Sequence, residues 1–201
     1  MNIGIDIDDT VSNSFEIMFA DAQRFDIEEL GNDGKVENYG NINNHNQIET
    51  LYSNWTDEEI DRFWSKYFVK VLTDARPKIY SAEIIRKLKE EGNNIYFITS
   101  RHEEIKGKTI IEDYSRKWLE KNNFVFDKII MNAQNKLEAS KNANIDLFID
   151  DSYEHCKKVQ KGGIKALLFT SCCNQSIENV CVERVYSWIQ VYKKYQELKN
   201  K

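Results

Sequence analysis

Three carboxylates fall within four residues at Asp6-Ile7-Asp8-Asp9, and Thr10 follows at once. Such crowding is costly without a cation, because neighbouring like charges disfavour each other's ionised form. An aspartate is already ionised at neutral pH and can attack phosphorus without a base to activate it. A second acid two residues further on can give a proton to a leaving alkoxide and later take one from water. Downstream, Thr99-Ser100-Arg101 offers a hydroxyl pair, Lys136 a cation and Asp150-Asp151 a second acid pair. Singly, each is an ordinary capping or surface residue. Together they are the parts that phosphoryl transfer needs: a nucleophile, an acid/base, donors for the phosphoryl oxygens and oxygen ligands for a hard cation.

Each of these groups follows a short apolar run. Residues 3–7 read as a strand that ends in the acids, and runs at 95–98, 128–131, 145–149 and 165–169 read as further strands. Helical stretches at about 79–91, 104–122, 135–142 and 153–161 fall between them. Strand and helix in alternation predict an α/β fold, a Rossmann-like doubly wound parallel sheet with right-handed crossovers. In such sheets ligands bind outside the carboxyl ends of the strands, where the strand order reverses, which is where the acids are placed. Alternation along an extended segment puts Asp6 and Asp8 on one side and Ile7 on the other.

The rhythm breaks over residues 12–77, which carry no strand. This stretch reads as a helix at about 14–24, an Asn/Gly-rich loop over 31–46, and a helix opened by the capping box Thr56-Asp57-Glu58-Glu59. On the last of these, Ile60, Phe63, Trp64, Tyr67, Phe68 and Val71 share one face. The chain therefore divides into a core of residues 1–11 and 78–201 and a small helical cap, 12–77, inserted between strand one and strand two. Phe15, Phe19, Phe63, Trp64 and Tyr67 are the candidates to line a substrate pocket, although most must also form the cap's own core. A last amphipathic helix carries Val185, Trp188, Ile189 and Tyr192 on one side.

The order DxDxT, hydroxyl after the second strand, lysine and closing acid pair resembles the phosphatases of the haloacid dehalogenase (HAD) superfamily, and the match spans the whole core. Within it, Phe97-Ile98-Thr99-Ser100, Ile149-Asp150-Asp151 and the stretch 168–175 with Trp188 beyond are similar to the 5′(3′)-deoxyribonucleotidase family. Two departures stand out: Asp9 where eukaryotic members carry glycine, and Arg101 where they carry proline. The resemblance implies a HAD-like fold and the roles the chemistry already suggests. Asp6 is the nucleophile that forms an aspartyl-phosphate, Asp8 the acid and then the base, and Thr99, Ser100 and Lys136 the phosphate-binding groups. It further implies a metal held by Asp6, Asp150, Asp151 and the main-chain carbonyl of Asp8. An oxygen-only ligand set favours Mg²⁺ over zinc. Asp9 orients the neighbouring loop or stands just outside the metal's direct ligands. The implied substrate is a small phosphorylated metabolite, a nucleoside monophosphate before a sugar phosphate or other small phosphomonoester.

Composition excludes other classes. The 201 residues are 41% hydrophobic and 30% charged with a net charge of -5, the balance of a globular chain. No Lys/Arg block marks a site for a nucleic-acid polymer. No cationic stub precedes an apolar run, and no stretch of about 18 apolar residues occurs, which predicts a cytoplasmic protein without membrane attachment. Cys156, Cys172, Cys173 and Cys181 fit no zinc spacing and read as reduced and structural, while His45, His102 and His155 read as scattered and partnerless. A phosphorylatable receiver would place its acceptor aspartate on an inner strand, and no aspartate ends a strand between Asp8 and Asp146. A catalytically silent binder would not need every reactive position filled.

Asp6→Asn is expected to abolish phosphate release while the protein stays folded, since the amide is nearly isosteric but no nucleophile. Asp8→Asn is expected to cost about 10² to 10⁴ in rate on alkyl esters and less on aryl phosphates, whose leaving groups need no proton. Steady-state rates on both substrate types, with circular dichroism as the folding control, check this; wild-type turnover in Asp6→Asn refutes the assignment.

Overall fold

The computed structural model describes residues 1–39, 47–101 and 110–200. Strands β1 (Asn2–Ile5), β2 (Asn94–Ile98), β3 (Lys128–Ile130), β4 (Leu147–Asp150), β5 (Lys165–Phe169) and β6 (Glu183–Val185) form one sheet in the order β3-β2-β1-β4-β5-β6. Every pairing is parallel. The order runs one way from β1 to β3 and the other way from β4 to β6, so it reverses between β1 and β4. The expected doubly wound α/β fold is therefore present, with β6 as an extra edge strand. Three residues of mixed polarity carry no period of their own, so the sequence places Val185 on the last helix; in the structure Val185 ends β6, that helix begins only at Trp188, and Ile189 is exposed. The strand exists because Thr170 N–H donates to the Val185 carbonyl at 2.8 Å, continuing the β5 ladder.

Alternation sorts the strand side chains onto two faces. Ile3, Ile5, Ile95, Phe97, Leu147, Ile149, Leu167 and Phe169 pack on one side against α4 (Ser81–Glu90), α5 (Ile110–Lys121) and α8 (Trp188–Lys199). Ile98, Phe148, Ala166 and Leu168 pack on the other against α6 (Lys136–Asn142) and α7 (Tyr153–Lys161). Each of the Ile, Leu and Phe side chains among them contributes roughly 1.5–3 kcal/mol on burial. Gly4 lets β1 run through this second layer, because a Cβ there would stand 2.9 Å from Ile98 Cδ1. The start of the helix expected at 104–122 and the histidines His45 and His102 lie outside the described residues.

Between β1 and α4 come α1 (Ser14–Arg24), a π-helical turn (Phe25–Glu29), α2 (Gln47–Leu51) and α3 (Asp57–Asp74). Their apolar faces meet in a separate cluster that includes Phe15, Met18, Phe25, Trp55, Phe63 and Tyr67. The capping box at Thr56 and Glu59 forms as its sequence implies. Asp26, buried within the π-helical turn, accepts from Trp55 Nε1 at 2.7 Å, Asn32 Nδ2 at 2.9 Å and Gly34 N–H at 2.9 Å. Where this segment leaves and rejoins the sheet, Ser12 and Pro77 form an antiparallel bridge. Asn13 N–H donates to the Arg76 carbonyl at 2.8 Å and Lys78 N–H to the Val11 carbonyl at 2.7 Å. No helix among the described residues is long and apolar enough to cross a membrane.

Trp188 ties α8 to the loop after β1: it is fully buried, and its Nε1 donates to the Thr10 carbonyl at 3.0 Å. Trp188→Phe keeps most of the packing but leaves that carbonyl unpaired, so a loss of about 2 kcal/mol in urea unfolding is expected. An unchanged midpoint and slope would show that the bond carries no stability.

Candidate active site

β1 ends at Ile5, two residues earlier than the apolar run suggests, though Asp6 N–H still donates to the Ile149 carbonyl at 2.9 Å. The chain then turns, with Val11 and Ser12 N–H both donating to the Ile7 carbonyl at 3.1 Å. Ile7 is buried, while Asp6 and Asp8 open together into one cavity of about 390 Å³, as alternation implies. Asp9 takes a left-handed backbone at φ 51°, a region that glycine enters freely and aspartate tolerates. Its Oδ1 accepts from Phe15 N–H at 3.0 Å, and its own N–H donates to Ser14 Oγ at 3.2 Å. Asp9 thus caps α1, because the side chain of the N-cap residue Asn13 makes no capping bond and donates instead to the Arg76 carbonyl at 3.3 Å.

Lys136 opens α6, with Asn135 capping the helix by accepting from Glu138 N–H at 3.2 Å. Its ammonium is buried, donates to Asp6 Oδ1 and to the Ile98 carbonyl, and lies 3.9 Å from Asp150 Oδ2. Thr99 and Ser100, at the end of β2, line the cavity. Thr99 Oγ1 accepts from Arg101 N–H at 3.2 Å, and Ser100 Oγ donates to the Ala133 carbonyl at 3.2 Å.

β4 delivers Asp150 and Asp151 beside Asp6, and oxygens of the three carboxylates lie within 4.8 Å of one another. Asp150 Oδ1 accepts from Ser152 N–H at 2.7 Å, and Asp150 Oδ2 lies 3.2 Å from His155 Nδ1. His155, unplaced by sequence reasoning, is therefore a partner of the site. Asp151 N–H donates to Thr10 Oγ1 at 3.0 Å, and its Oδ2 accepts from Ser171 Oγ at 2.9 Å. Asn174 Nδ2 donates to the Asp151 carbonyl at 2.6 Å. Ser171 and Asn174 lie in the stretch that sequence singled out only for its likeness to a family. Arg101 was likewise no more than a departure, yet it grips Asp8 with Nε to Oδ2 at 2.8 Å and Nη2 to Oδ1 at 2.7 Å.

The five candidate aromatics separate. Trp64 lines the cavity, joined by Phe68, Val71, Leu72 and Met18 and by Gln47 and Glu49 of α2. Phe15, Phe63 and Tyr67 are buried in the cluster between α1 and α3, and Phe19 stacks on Phe15 with ring centroids 5.8 Å apart. Helical spacing marks a shared face but cannot tell its inner edge from the edge that overhangs the sheet. Cys156 is buried and its thiol is pushed up by burial and by Asp150, which fits a packing role.

The electrostatics are those of an uncompensated acid cluster. Burial pushes Asp6 up to about 7, overcoming the Lys136 charge, with Asp150 and Asp8 adding to it. Burial, then Asp9, Asp150 and Asp6, push Asp151 well up. Burial also lifts Asp9 to about 6 against Lys78. Burial opposes the charge on Asp8, yet the Arg101 guanidinium holds its carboxyl below the usual range. Burial likewise opposes the Lys136 charge, but Asp6 and Asp150 keep that ammonium above the ordinary lysine value. Three buried carboxylates with only oxygen donors fit a hard divalent cation, which would favour the ionised form of Asp6 and Asp151.

An acid cluster at the switch point of a parallel sheet, a lysine on one acid and hydroxyls across the cavity define a phosphoric monoester hydrolase of the HAD superfamily. No protein-family model matches the chain. It is 32% identical over 136 residues to Nucleotidase CA_C3379 of Clostridium acetobutylicum, covering 67% of each chain, and 30% identical over 143 residues to YqfW of Bacillus subtilis, covering 70% of each. A haloacid dehalogenase-like hydrolase from Streptococcus pneumoniae superposes with a TM-score of 0.68 at 16% identity over 97% of this chain and 98% of that one. A HAD-superfamily hydrolase from Geobacter sulfurreducens gives 0.59 at 14% identity over 96% and 98%. The chain belongs to the same family as these two relatives, both named as nucleotidases, and carries the HAD phosphatase fold.

The raised carboxyls fix the sign of a pH effect. Where the folded state holds protons that the unfolded state has lost, stability falls as pH rises. Asp6 and Asp9, at about 7 and about 6 against an ordinary 3.8, act this way as pH rises from about 4 to about 7, and Asp151, pushed well up, acts in the same direction. Asp8, lowered, is ionised in both states above about pH 5. Urea unfolding in chelator should therefore show stability falling by about 4 kcal/mol from pH 5 to pH 8, and excess divalent cation should remove most of the fall. Stability that rises with pH in chelator would contradict this balance.

Proposed function

We propose that the chain is a Mg²⁺-dependent phosphomonoesterase that works through an aspartyl-phosphate on Asp6 and takes nucleoside monophosphates. Residues 1–11 and 78–201 serve as its catalytic core, and residues 12–77 as a cap that closes on the ester side of the substrate. The observation that carries the reading is the Asp6 carboxylate at the sheet's switch point, with Lys136 on one oxygen and Asp150 and Asp151 beside it. The Ser12–Pro77 bridge, which brings both ends of the helical segment together, supports the cap assignment.

In this mechanism an Asp6 oxygen attacks phosphorus and the bond from phosphorus to the ester oxygen breaks. Asp8, held low by Arg101 in the free site, is raised by the negative charge of the incoming phosphate, takes up a proton and gives it to the departing nucleoside oxygen. Water then attacks the acyl phosphate, its proton passes to Asp8, and phosphate leaves as the Asp6 carboxylate is restored. Thr99, Ser100 and Lys136 hold the phosphoryl oxygens, and Lys136 offsets their repulsion from Asp6. Asp6, Asp150 and Asp151, with the Asp8 main-chain carbonyl that the family resemblance adds, would hold the metal. When bound, Mg²⁺ supplies the positive charge that keeps these acids ionised and draws on the phosphoryl oxygens.

Substrate choice falls to the wall opposite the acids. The core supplies phosphate contacts common to all monoesters, so discrimination rests with Trp64, Phe68, Val71, Leu72 and Met18. Trp64 and Phe68 offer rings to a base, and the name of Nucleotidase CA_C3379 supports the same class of substrate. The other predicted aromatics support the wall from within.

A phosphate-release screen with Mg²⁺ over nucleoside monophosphates, sugar phosphates and phosphorylated amino acids tests the substrate class. Base stacking is worth about 1–3 kcal/mol, so Trp64→Ala or Phe68→Ala should lower kcat/KM for a nucleoside monophosphate by about 5- to 150-fold and spare a sugar phosphate. Equal wild-type efficiency on both substrates, or equal losses in the variants, would assign a general small-molecule phosphomonoesterase instead.

A further inference from the structure

Arg101 has no part in the mechanism above, yet its side chain is 4% exposed while the carboxylate it grips is 38% exposed. An ion pair that serves stability alone gains little from a partner left open to the cavity. The guanidinium has three anchors. Nε and Nη2 take one Asp8 oxygen each, and Nη1 donates to Ser115 Oγ at 2.8 Å on α5. Ser115 Oγ in turn donates to the Ile111 carbonyl at 2.8 Å, so its hydroxyl is oriented to receive the arginine. The Arg101 backbone is held as firmly, its N–H donating to Thr99 Oγ1 and its carbonyl accepting from Asn132 N–H at 3.0 Å.

We propose that Arg101, braced by Ser115, is the positioning residue that fixes the Asp8 carboxylate in one orientation at the cavity, ready for the leaving oxygen and then for water. The inference rests on the reading of Asp8 as proton donor and acceptor. A fork of two parallel donors sets the plane of a carboxylate, which a single ammonium cannot do. Each Asp8 oxygen keeps a lone pair beyond the one Arg101 uses, so the grip leaves the carboxylate able to take and give a proton. Because the same residue ends the Thr99-Ser100 hydroxyl loop, it sets the spacing between the groups that hold the phosphoryl oxygens and the group that serves the ester oxygen.

The test separates the two half-reactions. 4-Nitrophenyl phosphate needs no proton at its leaving group, so Asp6 is still phosphorylated when Asp8 is misplaced, and the defect falls on hydrolysis of the acyl phosphate. In Mg²⁺ and by rapid quench, Arg101→Lys should form phosphoenzyme at near the wild-type rate and hydrolyse it at least about 10-fold more slowly, as Asp8→Asn does. Ser115→Ala should move the same way by less, and it covers the case in which Arg101→Lys does not fold by circular dichroism. Added guanidinium ion should restore hydrolysis in Arg101→Ala and leave Asp8→Asn unchanged. If the Arg101 and Ser115 variants slow both half-reactions equally, or hydrolyse phosphoenzyme at the wild-type rate while Asp8→Asn does not, the positioning role is overturned. If Asp8→Asn itself hydrolyses phosphoenzyme at the wild-type rate, the underlying assignment of Asp8 fails instead.

Discussion

The mutual repulsion of Asp6, Asp150 and Asp151 is the constraint around which the rest is arranged. At a separation of about 4 Å each pair of ionised carboxylates costs about 4 kcal/mol at an effective dielectric of 20. Lys136 relieves only part of this, because a single ammonium touches one carboxylate and stands 3.9 Å from a second. The protein tolerates the cluster because the acids sit at strand ends whose other residues are locked into two apolar layers. The sheet supplies the stability, and its carboxyl edge carries the strain. A site built in this way favours dianionic phosphate only when further positive charge accompanies it.

Holding the acids at fixed distances falls to polar groups set further back. Thr10 is the clearest case: its hydroxyl accepts from Asp151 N–H and its carbonyl from the Trp188 indole, so one residue links β1, β4 and α8. Ser171 and Asn174 hold Asp151 from the loop after β5, and Arg184 Nη1 donates to Asn174 Oδ1 at 2.6 Å from β6. The short edge strand thereby contributes to the site although none of its residues reaches the cavity. Cys173 of the same loop packs into the cluster of α1 and α3, so the loop also joins the helical segment to the core.

The parallel sheet and the strand-end placement of Asp6, Thr99, Lys136 and Asp150 were legible because period and punctuation encode them locally. The grip of Arg101 on Asp8 was not, since it spans 93 positions and nothing near either residue announces the other. His155 was missed for a related reason: it meets Asp150 only because α7 starts at Tyr153 and turns back over the end of β4. The separation of Trp64 from Phe63 and Tyr67 needed the docking of α3 over the sheet, which helical periodicity does not contain. The π-helical turn after α1 was equally hidden, its position being set by the three donors that converge on Asp26.

The pairing order of the sheet bears on how the chain is made. β1 lies between β2 and β4, with Ile3 opposite Ile95 on one side and Leu147 on the other. During synthesis, at about 5–20 residues per second, this apolar strand has no partner until residue 95 has emerged, and its second edge stays open until residue 147 follows. The helices of the 12–77 segment, whose contacts are mostly their own, can collapse in that interval. The Ser12–Pro77 bridge then holds the exit of β1 close to the start of α4, shortening the effective loop that β2 must close. The segment whose α3 lines the cavity in the finished protein is thus also the one whose early closure brings the flanks of β1 and α4 together before the sheet is complete.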